Sequence, residues 1–159
     1  MITEQDEHFI RMAIDLARRG MNNNQGGPFG AIVVKDGAVI GQGYNQVTSR
    51  NDPTAHAEVV AIREACRHLV HFQLTGCVLY TSCEPCPMCL GALYWARPER
   101  VVFAAGRTDA AEAGFDDDHI YRELSLPLAE RTLPIEQILE EEGKTVFREW
   151  IEKPDKTEY

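Results

Sequence analysis

The chain has 159 residues, of which 44% are hydrophobic, and this predicts a single compact domain over residues 1–159 that buries about two-thirds of its unfolded surface. Its 25 acidic side chains outnumber 16 basic ones and give a formal net charge of −9, which disfavours a nucleic-acid partner because such partners bind basic patches. The sequence contains no apolar stretch of about 18 residues, and its first residues are acidic and polar. We therefore expect a cytoplasmic protein with no membrane partner.

Helices and strands alternate along the predicted chain. Apolar residues at helical spacing predict helices over residues 3–20, 54–69, 86–95, 118–124 and 145–151. Runs with strand composition lie at residues 31–34, 38–41, 77–81 and 101–105. We expect Thr3 and Thr54 to be the N-caps of the first two helices, Gly20 to end the first helix, and Asp36–Gly37 to form a tight hairpin turn. The pattern predicts an α/β fold, with residues 126–142 ambiguous.

Two segments carry the chemistry, His56-Ala57-Glu58 and Pro85-Cys86-Pro87-Met88-Cys89. Cys86 and Cys89 share one face of a predicted helix, close to its N-terminus, where partial positive charge favours thiolates. Together with His56 they offer three zinc ligands, and catalytic zinc sites keep a fourth position for water. Glu58 points in a different direction from the ligands, and we predict that it shuttles protons.

The cysteines also allow interpretations other than a catalytic metal site. A Cys-x-x-Cys pair alone could be a structural zinc knuckle or a redox pair. Three of the five cysteines lie within residues 83–89 and no export signal precedes them, which favours metal binding in a reducing compartment over disulfides. We expect Cys66 and Cys77 to be buried apolar residues and Cys83 to pack beneath the site.

The segments N-D-P-T-A-H-A-E (residues 51–58) and T-S-C-E-P-C-P-M-C (residues 81–89) resemble the cytidine-deaminase-like superfamily, in its cytosine, guanine and tRNA-adenosine branches. The resemblance covers roughly Phe9 to Gly106. It implies a three-layer α/β/α sandwich with a five-stranded mixed sheet and one catalytic zinc ion per subunit. It also implies hydrolysis of an amino group from a base, with release of ammonia.

Three further segments resemble bacterial guanine deaminases: T-D-A-A-E-A-G-F-D-D (residues 108–117), G-G-P-F-G (residues 26–30) and the terminal K-T-E-Y (residues 156–159). This resemblance implies hydrolysis of guanine to xanthine and ammonia. Cytosine, an aminated triazine and a tRNA adenosine are the alternative substrates. A member that retains zinc only for stability is a separate alternative, which the presence of Glu58 disfavours because this residue is no metal ligand.

The guanine deaminase resemblance also implies substrate contacts. Asn45 would hydrogen-bond the purine, Phe29 would pack on its ring, and Asp117, with Asp116 as the alternative, would accept hydrogen bonds from the N–H edge of guanine. Because adenine has no N1–H, it would leave the buried carboxylate unpaired, which is a large penalty. Core packing for Phe29, loop capping for Asn45 and a solvated helix start for the acids are the structural alternatives.

Two aromatic residues complete the predicted pocket. The resemblance implies that Tyr159 closes the pocket of a neighbouring subunit, with the tail of about residues 145–159 exchanged within a homodimer; the alternative is a frayed tail. Trp95 follows the second zinc segment closely along the chain. It would line the pocket or pack at the end of its helix.

Overall fold

The computed structural model describes residues 2–159 and divides the chain into two compact units, one ending at Asp118 and one comprising His119–Tyr159. The strands are β1 (Gly30–Lys35), β2 (Ala38–Tyr44), β3 (Cys77–Cys83) and β4 (Arg100–Ala105). The helices are α1 (Glu4–Asn22), α2 (Val47–Arg50), α3 (Ala57–Leu69), α4 (Pro87–Ala96), α5 (Arg107–Glu112), α6 (Asp117–Ser125) and α7 (Glu140–Glu152), with a 3₁₀ turn at Leu128–Glu130. That the whole chain acts as one domain stays a prediction.

The first unit is built around a mixed sheet with the strand order β2-β1-β3-β4. Strand β1 is antiparallel to both β2 and β3, whereas β3 and β4 are parallel and are connected through α4. Helix α1 packs on one face of the sheet, and α3 and α4 pack on the other. The predicted α/β class with a mixed sheet is confirmed.

The expected fifth strand is absent from the sheet formed by residues 2–159. After β4 the chain enters α5 at Gly106, and residues 131–139 form neither helix nor strand. This stretch contains Pro134, which has no backbone N–H to donate to a strand ladder. We expected a fifth strand because of the resemblance and not because of any strand pattern after Ala105. That expectation was wrong.

Local signals at the chain turns are partly confirmed. Thr3 caps α1 through a reciprocal capping box, in which the Asp6 N–H donates to Thr3 Oγ1 (3.2 Å) and the Thr3 N–H donates to Asp6 Oδ2 (2.8 Å). Asp36 and Gly37 both have positive φ, as a two-residue hairpin turn requires. Gly20 does not end α1, which continues to Asn22; a Cβ atom on Gly20 would lie 2.8 Å from the Tyr44 ring.

The start of α3 also differs from the prediction. Its N-cap is His56, and Thr54 instead donates from both its N–H and its hydroxyl to Asp52 Oδ1, at 2.8 and 2.7 Å. Asp52 therefore captures Thr54 in a local turn and delays the helix by two residues. His56 therefore lies at the N-cap of α3 rather than within its first turn.

Close helix packing sets the position of α3. A Cβ atom on Gly43 would lie 2.4 Å from the backbone oxygen of Ala57, and one on Gly41 would lie 2.5 Å from that of Ala61. Because both strand positions lack a side chain, α3 lies directly against β2 with its first turn beside the end of the strand. No helix within residues 2–159 is long and apolar enough to cross a bilayer.

Candidate metal and substrate site

Three strand ends and two helix starts meet at one edge of the sheet. The start of β1 lies opposite the end of both β2 and β3, because Gly30 pairs with Tyr44 and Ala31 pairs with Thr81. The residues that precede β1 and follow β2 and β3 therefore come together here. The N-caps of α3 and α4, His56 and Cys86, lie at this same edge.

The predicted ligands form a compact group. The potential ligand atoms of His56, Cys86 and Cys89 all lie within 4.8 Å of one another. His56 Nδ1 lies 3.5 Å from the sulfur of Cys86 and 3.5 Å from that of Cys89. Tetrahedral zinc, with its usual bond lengths to sulfur and nitrogen, holds such atoms about 3.6 Å apart. The donor set and its spacing therefore fit a zinc ion with one position left for a further ligand.

The local electrostatics favour a thiolate at Cys86. Hydrogen bonds with Cys89 and His56 lower the pKa of Cys86 to about 4, despite the burial of its side chain. The hydrogen bond to Cys86 in turn raises the pKa of His56. Pro87 opens α4 immediately after Cys86, and it loses no hydrogen bond there because first-turn N–H groups have no partner within the helix.

Glu58 lies next to the ligand group with 5% of its surface exposed. Its Oε1 accepts a hydrogen bond from the Thr81 hydroxyl (3.2 Å), and its Oε2 accepts one from the Cys89 thiol (3.4 Å). Burial raises the pKa of Glu58. A carboxylate with a raised pKa beside a metal site can both accept and return a proton near neutral pH.

A cavity of about 210 Å³ opens onto this group. Its lining comprises Gly27, Phe29, Asn45, Val47, Thr48, His56, Glu58, Glu84, Cys86, Phe115 and Asp117. The rings of Phe29 and Phe115 meet edge to face, with centroids 4.7 Å apart and an interplanar angle of 79°. A lining that combines two aromatic rings with several polar side chains suits a flat heterocycle that carries hydrogen-bonding groups.

Asn45 has a fixed orientation in this cavity. Its Oδ1 accepts hydrogen bonds from the backbone N–H groups of Gly27 (3.2 Å) and Val47 (3.1 Å), and 6% of its surface is exposed. Since the oxygen is held by the backbone, the NH₂ group is what the side chain can offer to a ligand. Asn45 therefore caps the loop and is also available as a donor.

Residues 3–105 match the family model described as the cytidine and deoxycytidylate deaminase zinc-binding region. The chain belongs to this deaminase family. Zinc is the metal of the family, and His56, Cys86 and Cys89 are its candidate ligands in this chain.

Individual deaminases resemble the chain to different extents. Guanine deaminase of Bacillus subtilis is 58% identical over 153 residues, covering 96% of this chain and 98% of that protein. The X-ray structure of the Bacillus subtilis guanine deaminase superposes with a TM-score of 0.94 at 56% identity and covers 99% of both chains. The tRNA-specific adenosine deaminase of Aquifex aeolicus is 46% identical over 99 residues, 62% of this chain and 65% of that one.

The fold of this deaminase brings most of the predicted substrate contacts to the cavity. Phe29, Asn45 and Asp117 all line it, whereas Asp116 is exposed and is not among the lining residues. Burial raises the pKa of Asp117. Cys83 is buried, its thiol donates to the Gly106 carbonyl (3.7 Å), and burial raises its pKa to about 11, so it lies under the site as a protonated thiol.

Trp95 and Tyr159 are the two remaining aromatic residues of the predicted pocket. Trp95 lies near the C-terminal end of α4 with 63% of its surface exposed, and it is not among the cavity-lining residues within the described chain. The geometry thus gives no support to a pocket role for it. Tyr159 belongs to the second unit and is 68% exposed, and its contact with a neighbouring subunit stays a prediction.

Sequence reasoning missed several lining residues, above all Phe115 and Glu84. Phe115 directly precedes the acid pair, and an aromatic residue next to candidate binding acids was a usable signal. Glu84 Oε2 accepts a hydrogen bond from the Arg107 N–H (3.0 Å), which ties the loop after β3 to the first turn of α5. Nothing in the residue pattern indicates that link, because it joins segments that meet only in the folded chain.

Proposed function

We propose that this deaminase hydrolyses guanine to xanthine and ammonia. The similarity to a guanine deaminase over 96% of the chain carries the proposal. The cavity supports it, because its lining includes two aromatic rings, an acidic residue, Asp117, and an amide donor held in place, Asn45.

Zinc bound by His56, Cys86 and Cys89 would act as a Lewis acid that activates water for attack on the amine-bearing carbon. Glu58 removes a proton from the attacking water and passes it to the adjacent ring nitrogen. It then carries the second proton to the departing amine, which leaves as ammonia while the carbonyl of xanthine forms. The raised pKa of Glu58 suits this double role, because the same group must bind and release protons.

The other cavity residues select and orient the base. Phe29 and Phe115 pack against the ring, and the NH₂ group of Asn45 donates to a ring acceptor. The Asp117 carboxylate accepts from the N–H edge of guanine. Adenine has no N1–H to offer, so Asp117 would remain a half-buried, unpaired charge in a complex with adenine.

The test compares four substrates. Purified protein with measured zinc content is incubated separately with guanine, cytosine, adenine and unmodified tRNA, and ammonia and the products are quantified. We expect xanthine from guanine and no product from the other three. Turnover of cytosine or tRNA alone would overturn the substrate while retaining the zinc chemistry, and zinc-loaded protein inactive on all four would contradict guanine as the substrate.

The second unit supports a homodimer with an exchanged tail. Its helix α7 exposes a row of large apolar side chains at Val146, Phe147, Trp150 and Ile151. Exposed apolar area of this kind is typical of surfaces that a partner covers. We infer that the tail, through Tyr159, closes the pocket of the partner subunit.

Removal of residues 156–159 tests the tail. We expect an increased KM for guanine or a loss of activity, with zinc content retained. Tyr159→Ala against Tyr159→Phe separates the ring from its hydroxyl, and sedimentation gives the oligomeric state. A truncated protein with unchanged kinetics would contradict the swapped tail, and a monomer at micromolar concentration would contradict the dimer.

The candidate cysteine ligands also indicate the cellular compartment in which the protein works. Within residues 2–159 all five cysteines are free, and two of them are candidate metal ligands that must stay reduced. A reducing compartment such as the cytoplasm suits this requirement. Fractionation of the source cells followed by immunodetection of the protein tests it.

A further inference from the structure

Thr81 is a buried polar residue on an otherwise apolar side of β3. Leu79 and Thr81 point toward the layer of α3 and α4, whereas Tyr80 between them points toward α1. Only 1% of the Thr81 surface is exposed. A buried hydroxyl needs a hydrogen-bond partner, and the one for Thr81 is Glu58 Oε1 at 3.2 Å.

We propose that Thr81 is a positioning residue that holds Oε1 of Glu58, so that Oε2 is the oxygen kept turned toward the metal-ligand group. The inference rests on the proposed deamination. It deepens that function by assigning different roles to the two oxygens of one carboxylate. Thr81 acts through Glu58 and does not itself contact the substrate cavity.

The surroundings of the two oxygens differ. Oε1 faces the strand through Thr81, whereas Oε2 lies 3.4 Å from the sulfur of Cys89 and therefore faces the metal-ligand group. A cysteine that ligates zinc does so as a thiolate, so it no longer has a proton to donate to Oε2. The Thr81 hydrogen bond does not involve that proton, so it would still hold Oε1 and keep Oε2 turned toward the metal-ligand group.

Fixing one oxygen matters because the last torsion of a glutamate is soft. Rotation about χ3 has a broad, roughly two-fold distribution, so an unanchored carboxyl group samples many orientations. Proton transfer requires a donor and acceptor held in hydrogen-bond geometry. The Thr81 hydroxyl restricts that rotation without blocking Oε2.

Paired substitutions at Thr81 separate the hydroxyl from the methyl group. Thr81→Val keeps the branched shape and loses the hydroxyl, whereas Thr81→Ser keeps the hydroxyl and loses the methyl group. We expect Thr81→Val to lower kcat about tenfold, equivalent to about 1.4 kcal/mol, with KM for guanine and zinc content close to wild type. Thr81→Ser should restore most of that loss. An unchanged kcat in Thr81→Val, or an equal loss in both variants, would overturn the proposal.

A stability cycle provides a readout that needs no substrate. Urea unfolding of zinc-loaded protein is measured for wild type, Thr81→Val, Glu58→Ala and the double variant. We expect Thr81→Val to lower the unfolding midpoint in the wild-type background, because Glu58 Oε1 loses its donor. In the Glu58→Ala background the same change should leave the unfolding midpoint unchanged or raise it. The buried Thr81 hydroxyl has no carboxylate to donate to in that background, so its removal loses no hydrogen bond.

Equal lowering of the midpoint in both backgrounds would overturn the contact. If Thr81→Val does not fold, Thr81→Ala compared with Thr81→Ser removes the same oxygen and takes its place in both measurements. Failure of the wild type to deaminate guanine would reject the proposed substrate, whereas the cycle would still report on the coupling of Thr81 and Glu58. The two failures are therefore distinguishable.

Discussion

Each face of the sheet buries one carboxylate, and the two behave in opposite ways. Asp6 lies on the α1 side with 2% of its surface exposed, and Glu58 lies on the α3 side with 5% exposed. Asp6 accepts hydrogen bonds from the Tyr80 hydroxyl (2.7 Å) and from the backbone and hydroxyl of Thr3, and it pairs with Arg100. These donors, Tyr80 foremost, lower the pKa of Asp6 to about 2.

Glu58 has much weaker support. Its side-chain donors are a threonine hydroxyl at 3.2 Å and a thiol at 3.4 Å, with no cation paired to it among residues 2–159, and burial dominates so that its pKa rises. The number and strength of donors, rather than burial itself, therefore separate the carboxylate with a lowered pKa, Asp6, from the one that we propose exchanges protons, Glu58. The comparison predicts that substitutions at the two sites affect different properties of the protein.

The largest expected effect is on catalysis at Glu58. Glu58→Gln keeps the shape and the Thr81 contact but cannot shuttle a proton, so we expect kcat for guanine to fall about a thousandfold or more. Zinc content, measured by atomic absorption, should stay at wild-type level because Glu58 is not a ligand. Turnover within a few-fold of wild type would show that another group moves the protons.

A second carboxylate, Asp117, tests recognition rather than proton transfer. Asp117→Asn replaces one acceptor oxygen with a donor, which opposes the N–H edge of guanine, and we expect kcat/KM to fall about a hundredfold, or about 2.7 kcal/mol. Asp116→Asn is the matched control, because Asp116 is exposed and does not line the cavity. Steady-state kinetics on both variants give the answer, and a larger loss at Asp116 would reverse the assignment.

The grouping of the candidate metal ligands with Glu58 was predictable because the residue types and their spacing indicate the chemistry, and the roles of these residues stay predictions. His56-x-Glu58 and Cys86-x-x-Cys89 each lie at a single helix start, so residue order sets the spacing within each segment, whereas the meeting of the two segments depends on the fold. The α/β alternation was predictable for the same reason, since periodicity is local. Asn45 and Phe29 required the resemblance to guanine deaminases, because each lies beside a different strand end.

The rest depends on contacts between distant segments. Gly20 packs under Tyr44 and does not end α1. This could be predicted only with knowledge of where β2 lies in the fold. The hydrogen bond of Thr81 to Glu58 joins β3 to α3, and the Asp6 network joins α1 to β3 and β4. A threonine in a buried strand looks like an ordinary β-branched residue until the tertiary fold places a carboxylate beside it.

Asp6 should affect stability and leave catalysis intact. Asp6→Asn removes the charge that Arg100 and Tyr80 stabilise, so we expect Tm at pH 7 to fall by several degrees with kcat unchanged. The pKa is about 2 in the folded protein and 3.8 as the ordinary value, so the stabilisation is complete above about pH 4 and is lost as the pH falls toward 2. The stability difference between the two proteins should therefore vanish over that interval. A constant difference from pH 7 to pH 2 would mean that the charge of Asp6 is irrelevant.

The smallest expected effect comes from removing a single hydrogen-bond donor to Asp6. Tyr80→Phe deletes the hydroxyl that contributes most to the low pKa of Asp6 while Arg100 and Thr3 remain, so we expect a loss of about 1.5 kcal/mol in the free energy of unfolding. The pKa of Asp6 should rise toward 3.8, which moves the acid-induced loss of stability to higher pH. Tyr44→Phe is the control, because its hydroxyl has no hydrogen bond within the part of the chain that the structure describes. Equal losses in the two variants, measured by urea unfolding between pH 3 and pH 7, would mean that Arg100 and Thr3 keep Asp6 ionised without Tyr80. The contrast with Glu58 would then not depend on the Tyr80 hydroxyl.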